Sequence, residues 1–147
     1  MALQGQIPIE FGMVFPAGAY AAGGIEMVRD FDRSTADRVV QQVDKHTGLL
    51  LWVVEVIDAQ EDARQRTVKV KIAAQVQPVL PAPAPGSPFT AVEFDGMTAT
   101  PYVDASRCSG DGKNRCGARQ AYSFKATGVR APSRGIGRPA AEHKDAA

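Results

Sequence analysis

The feature that most constrains the fold of this chain is an apolar run followed closely by an alternating one. Residues 49–57 read LLLWVVEVI, and Glu55 is their single polar side chain. Residues 67–72 read TVKVKI, in which polar and apolar side chains alternate strictly. A continuous apolar run is typical of a strand buried on both faces, whereas alternation is typical of a strand with one face in solvent. We therefore expect neighbouring strands of a β-meander, the second of which turns Lys69 and Lys71 outwards.

Five other segments carry weaker strand signals. Three valines favour a strand at about 38–43, because valine loses side-chain freedom in a helix and packs well on a pleated sheet. Residues 25–31 predict a short strand, and residues 7–15, which a proline interrupts, predict an edge strand or an extended arm. Residues 89–103 and 118–130 predict a last pair of strands around a polar, glycine-rich loop.

A proline-rich segment at 78–88 separates the meander from this last pair. Its five prolines cannot donate backbone hydrogen bonds, so we expect an extended crossover rather than a strand or a helix. The strand count predicts an all-β domain of five to six antiparallel strands, in a partly closed barrel like the oligonucleotide-binding (OB) fold. A curled open sheet with long loops is the alternative.

Length and composition predict one domain with a tail. A chain of 147 residues is long enough for a single core and too short for two ordinary domains with linkers. We assign residues 1–131 to the β domain. Residues 132–147 have almost no large apolar side chain, and we expect them to be disordered.

Residues that could carry chemistry are few. His46 lies in a turn and His143 in the tail, so no Ser-His-Asp set can be assembled around either, and we expect no catalytic residue and no cofactor. Cys108 and Cys116 offer two thiols without a histidine, whereas a zinc site needs about four ligands, so no metal site is expected. Two cysteines suit a reducing compartment, and we expect free thiols and a cytoplasmic protein. No segment is long and apolar enough to cross a membrane.

The net charge of +1 hides an uneven distribution. Residues 1–104 carry eight Lys or Arg against thirteen Asp or Glu, and residues 105–138 carry eight against one. An acidic body with a basic C-terminal third suggests an anionic partner. A solvated basic loop and tail explains the same asymmetry equally well, so both interpretations stay open.

A nucleic-acid interface on such a sheet would combine a basic track for the phosphate backbone with aromatic side chains that stack on bases. Trp52 lies in the apolar run, where packing in the core is the commoner role for a tryptophan. The candidate binding residues are Lys69, Lys71, Arg66, Arg119, Lys125, Arg130, Trp52, Tyr102 and Tyr122.

Several segments together resemble a known family. The order FGMVFPAGAYAAGGIEMVRDF, DKHTGLLLWVVEVIDA, VKVKI, QPVLP, PFTAVEFDGMTATPYVD and AYSFKATGVRAP is similar to that of the plasmid replication, integration and excision activators of actinobacterial integrative and conjugative elements. The resemblance extends to about Pro132, and the loop 108–116 stands out as an insertion. It implies a non-catalytic accessory activator of a mobile element, and it identifies no functional residue.

Three classes of function follow. The first is a regulator that binds duplex DNA, although the sequence has no helix-turn-helix pattern. The second is an OB-like protein that binds single-stranded DNA. The third is a protein-interaction module that acts on element-encoded replication proteins, with the basic loop as an electrostatic docking patch.

Overall fold

The structure is a computed structural model that describes residues 5–108, 110 and 116–133. Nearly all of the regular structure in these residues is strand, apart from one helical turn, α1, at Phe11–Val14. The strands are β1 Ile7–Pro8, β2 Ala19–Ala21, β3 Glu26–Met27, β4 Leu51–Asp58, β5 Thr67–Ala73, β6 Thr90–Asp95, β7 Thr98–Asp104, β8 Arg119–Ala126 and β9 Gly128–Arg130.

The strands form one curled open sheet with the shape of a half-barrel. Its strand order is β1-β7-β8-β5-β4-β2-β6-β9, and β3 pairs with β4 beside this path. The chain passes from β8 to β9 through Thr127 alone. β8 pairs with β7 and β5, whereas β9 pairs with β6, so this bent segment links two distant positions in the strand order. The link makes the sheet curl around its inner face.

The inner face of the sheet carries the hydrophobic core. Side chains alternate along each strand, so the residues of one parity meet on this face. The helical turn covers it, with the Phe11 ring 5.3 Å from that of Phe15 and 6.1 Å from that of Phe94. Burying an aliphatic or aromatic side chain contributes about 1.5–3 kcal/mol. The largest fully buried side chains are Phe15, Val54, Val56, Val70, Ile72 and Val92.

The all-β class and the two strands of the meander are confirmed. In β5, Val70 and Ile72 are buried and Lys69 is exposed, as the alternation predicts. The expected number of five to six strands is too low, because nine strands form within the described residues. The expectation of antiparallel pairing is wrong at one place, since β5 and β8 run parallel. The predicted disordered tail lies, from residue 134 onwards, outside the described residues.

One local prediction is wrong, and two others hold only in part. Residues 38–43 form only isolated bridges, because the Ser34 hydroxyl hydrogen-bonds to the backbone of Val40. The hydroxyl accepts from the Val40 amide at 2.9 Å and donates to the Val40 carbonyl at 3.2 Å. Local side-chain bonds of this kind compete with a strand ladder. The strand expected at 25–31 shrinks to β3, and the arm expected at 7–15 splits into β1 and α1.

The composition of the apolar run predicts a strand buried on both faces, and this prediction is wrong. Val54 and Val56 are buried on the inner face, whereas on the outer face Val53 is half-buried and Glu55 is exposed. A sheet that curls around one core buries one face of each strand, so the extra apolar residues lie on a face that the described residues cover only in part.

An ion pair fixes the turn that precedes β4 to the outer face of β8. Lys125 Nζ lies 2.8 Å from Asp44 Oδ1, and the side chains are 17% and 5% exposed. The Thr47 hydroxyl donates to the other Asp44 oxygen at 2.7 Å, and Gly48 closes the turn with a φ of 74°. Burial raises the pKa of Asp44, but hydrogen bonds from Lys125 and Thr47 outweigh it and hold the pKa below its usual range.

Asp44→Asn should lower the free energy of unfolding at pH 7 by about 2 kcal/mol, because Lys125 is then left largely buried without its counter-charge. A lowered folded pKa stabilises the protein above the unfolded pKa of about 3.9, and this contribution is lost as the pH falls through the folded value. The difference between wild type and variant in urea denaturation should therefore shrink below about pH 4. The exposed Asp37→Asn is the control, and equal midpoints for wild type and Asp44→Asn at pH 7 would contradict the role of the pair.

A second test concerns the corner where β8 turns into β9. Gly96 joins β6 to β7 with a φ of 57°, and a Cβ there would lie 2.5 Å from Thr127 Oγ1. Gly96→Ala should cost more than about 2 kcal/mol, because it combines backbone strain with a clash. Gly86 has a φ of 77° with nothing within 4 Å, so Gly86→Ala measures the strain alone and should cost about 1 kcal/mol. Equal losses in the two variants would show that the corner is not tightly packed.

Candidate binding cleft

A cleft opens where β5 and β8 diverge. The two strands are paired over Val70–Ile72 and Phe124–Ala126, and their amino-terminal halves separate from there. β5 stays paired with β4 and β8 stays paired with β7 along these halves, so each strand turns its other edge towards the gap. The resulting cleft has a volume of about 640 Å³, and residues of both strands line it.

The cleft has an apolar floor on the inner side of the sheet. Val14 and Phe15, which follow from the helical turn, lie at its base together with Val68 of β5 and Phe124 of β8. The register that places Val70 opposite Phe124 puts these strand residues on the same face of the sheet. Val14, Val68 and Phe124 are half-buried and form the accessible part of this floor, whereas Phe15 is 1% exposed and belongs to the core.

Charged side chains of both signs line the outer side of the cleft. Lys69 lies directly opposite Glu55 in the pairing of β4 with β5. Arg119 Nε is 3.4 Å from Asp104 Oδ2. Hydrogen bonds from Ser106 are the main reason that the pKa of Asp104 lies below its usual range, and Arg119 adds to them. The charged residues of the lining are Glu55, Asp58, Arg64, Lys69, Lys71, Asp104 and Arg119, so the cations exceed the carboxylates by one.

Five of the nine candidate residues from the sequence meet in this cleft, among them two tyrosines. Tyr102 of β7 and Tyr122 of β8 are 50% and 49% exposed. The ring of Tyr122 stacks at 6.5 Å on that of Phe124. The five are Lys69, Lys71, Tyr102, Arg119 and Tyr122.

The structure places the other four candidates elsewhere. Trp52 is half-buried and donates from Nε1 to the carbonyl of Ala74 at 3.0 Å, which is the packing role favoured by its sequence context. Lys125 is engaged by Asp44. Arg130 binds Glu93 at 2.7 Å and Asp95 at 2.8 Å, and these partners raise its pKa. Arg66 is exposed and donates to the carbonyl of Glu61 at 3.0 Å.

The nine candidate residues from the sequence omit most of the lining of the cleft, including Val14, Phe15, Asp58 and Arg64. Arg64 and Asp58 lie near a charged turn, and Val14 and Phe15 lie in a segment expected to be extended. No local pattern signals their role, because it depends on the parallel pairing of β5 with β8. That pairing joins strands about fifty residues apart in the chain.

The expectation of free thiols is wrong. Cys108 and Cys116 form a disulfide, with their Cα atoms 4.6 Å apart. The pairing of β7 with β8 runs up to Asp104 and Arg119, so it brings the two ends of the loop together. Residues 109 and 111–115 within the loop lie outside the described residues. Because disulfides persist mainly in oxidising compartments, the cysteines no longer argue for a cytoplasmic location.

No family model, curated protein or solved structure matches the chain. Within the described residues, no group of three or more His, Cys, Asp or Glu side chains is placed to hold a metal ion. In the same part of the chain, no helix is long and apolar enough to span a membrane. The function of the cleft therefore has to follow from its own geometry and chemistry.

The disulfide predicts how many cysteine thiols of the unfolded protein react with a maleimide. Protein purified without reductant and unfolded in guanidinium should show no thiol that reacts with a maleimide, and two after reduction. Cys108→Ser, which leaves Cys116 alone, calibrates the assay with one reactive thiol in both conditions. Two reactive thiols in the unreduced wild type would show that the bond does not form.

Proposed function

We propose that this protein is a non-catalytic accessory activator of the replication, integration and excision of a mobile genetic element, and that it acts by docking an element-encoded replication protein. The biological role rests on the resemblance of several sequence segments, and of their order along the chain, to the activators of integrative and conjugative elements. The docking rests on one observation, which is the open cleft between β5 and β8 with an apolar floor and a charged outer side.

The charge pattern favours a protein partner over a nucleic acid. A track for a phosphate backbone needs unpaired cations along its length. Three of the six basic candidates are instead held by carboxylates, namely Arg119, Lys125 and Arg130. The cleft adds carboxylates of its own beside Lys69. An apolar centre with a rim of mixed charge is the usual composition of a protein interface.

Single-stranded DNA is the second candidate ligand for the same cleft. Half-exposed Tyr102 and Tyr122 line it together with Lys69 and Lys71, and OB-like barrels combine such stacking and basic side chains. The strand registers put Tyr102 on the outer face with the lysines and Tyr122 on the inner face with Phe124. The curled sheet suits such a barrel. Reading of duplex DNA by a recognition helix has less support, because the one helix in the described residues has four residues.

A complementation experiment tests the role of the protein and of the cleft together. An element that lacks the gene should excise and replicate at least about tenfold less, as measured by quantitative PCR of the circular form, and the wild-type gene should restore it. Lys69→Glu with Lys71→Glu should fail to restore it, because both charges line the cleft. Arg33→Glu with Arg38→Glu makes the same change in net charge at exposed positions outside the cleft and should restore it fully.

Two results would contradict the proposal, and each names the part that fails. An element indifferent to loss of the gene would remove the role as an activator. Full restoration by the cleft variant would remove the cleft as the docking site.

A labelled 20-nucleotide single strand of DNA distinguishes a nucleic-acid ligand from a protein partner. Binding with a log–log salt slope near −3, as for about four neutralised phosphates, would favour single-stranded DNA. No binding below tens of micromolar would favour the protein partner.

A further inference from the structure

Two strand edges face each other across the cleft without a strand between them. On β5 the edge is formed by residues 67–69, and on β8 by residues 119–123. In the described part of the chain, neither run has a partner strand on its cleft side. Backbone N–H and C=O groups on such an edge are a template for another strand, and natural sheets usually protect them.

The free edge of β7 is blocked by a proline, whereas the cleft edges carry charged side chains and no proline. β1 covers Thr98 and Ala99, and beyond them β7 carries Pro101, which has no N–H to offer an incoming strand. Neither 67–69 nor 119–123 contains a proline. The chain therefore blocks one exposed edge and leaves open the two that line the cleft.

We propose that the cleft binds an extended segment of the partner protein as an added β-strand between β5 and β8. This rests on the proposed docking function and specifies how the partner is held. The open run of β8 has five residues, which at about 3.3 Å each spans about 16 Å, so the bound segment has a core of about five residues. Main-chain hydrogen bonds supply affinity in this mode, and alternate side chains supply specificity.

The side chains around the cleft define the sequence of that segment. Successive residues of an added strand point to opposite faces of the sheet. On the inner face they meet half-buried Val68 and Phe124, which favour apolar side chains. On the outer face Lys69 flanks the open edge and Lys71 lies just beyond it, and the cations of the lining exceed its carboxylates by one, which favours carboxylates. The cleft therefore selects a segment in which apolar and acidic residues alternate.

The same lysines discourage self-association through this edge. A second copy that added the open run of its own β5 would bring Lys69 of one copy close to Lys69 of the other, and like charges across strands are destabilising. An acidic segment meets the opposite sign in the same positions. The occupant is therefore a segment of another protein rather than a second copy of this chain.

Peptide binding by the full-length protein tests the inference. The probe is a labelled seven-residue peptide, Ac-VEVEFEV-NH2, measured by fluorescence anisotropy. Three comparison peptides have lysine in place of glutamate, the same composition with the apolar residues grouped, or N-methyl groups on alternate backbone amides. The alternating acidic peptide should bind with a Kd on the order of 10–100 µM, and each comparison peptide should bind at least about tenfold more weakly.

A charge exchange keeps the test independent of folding. Lys69→Glu with Lys71→Glu should lose the acidic peptide and gain the lysine peptide, a reversal that a misfolded variant cannot show. Equal binding of the N-methylated peptide would overturn strand addition, as would failure of the acidic peptide to bind. Another outcome is that the peptide results exclude strand addition while Lys69→Glu with Lys71→Glu still fails to restore excision and replication of the element. In that case the partner docks at the cleft in another way. Binding of the oligonucleotide alone would overturn the inference in favour of single-stranded DNA.

Discussion

The structure depends on one continuous segment that pairs on two sides of the sheet. β8 pairs with β7 and β5, and after Thr127 the chain pairs with β6 as β9. The corner is held by the Thr127 amide, which donates to the Asp95 carbonyl at 2.9 Å, and by the close approach of Gly96. This crossing obliges the sheet to curl, and the curl gathers the apolar faces into one core. β8 meets β5 only over its last three residues before this corner, and the cleft lies along the earlier residues of β8.

Electrostatics in the folded protein differ from what the distribution of charge along the chain suggests. The basic C-terminal third predicts a positive surface, yet three of its cations pair with carboxylates from the acidic body, among them Arg119 with Asp104. Lys125 binds Asp44, and Arg130 binds Glu93 and Asp95. Ion pairs in the folded protein therefore neutralise part of the positive charge of the C-terminal third. What remains at the cleft is a small positive excess above an apolar floor, which suits a partner that offers both carboxylates and apolar side chains.

Five of the nineteen residues that line the cleft were predicted from the sequence, and the division has a physical basis. Lys69 and Lys71 were found because strict alternation fixes the face on which a residue lies. Tyr102 and Tyr122 were found as polar-tipped aromatics on half-exposed strands. Lys125 shows the same strand pattern, but its ion-pair partner lies 81 residues away in the chain. A local pattern gives the direction of a side chain and cannot give the identity of what it meets there.

The sequence by itself determined the all-β class, the β4–β5 hairpin and the tight turn at Gly48, because these depend on alternation, β-branched side chains and a positive φ. Only the tertiary structure decided which face of β4 is buried, that residues 38–43 are bound by Ser34 instead of by a neighbouring strand, and that Cys108 meets Cys116. It also decided the parallel meeting of β5 with β8, from which the cleft follows. Each of these outcomes depends on contacts between distant or competing groups, and such contacts are settled when the whole sheet closes around its core.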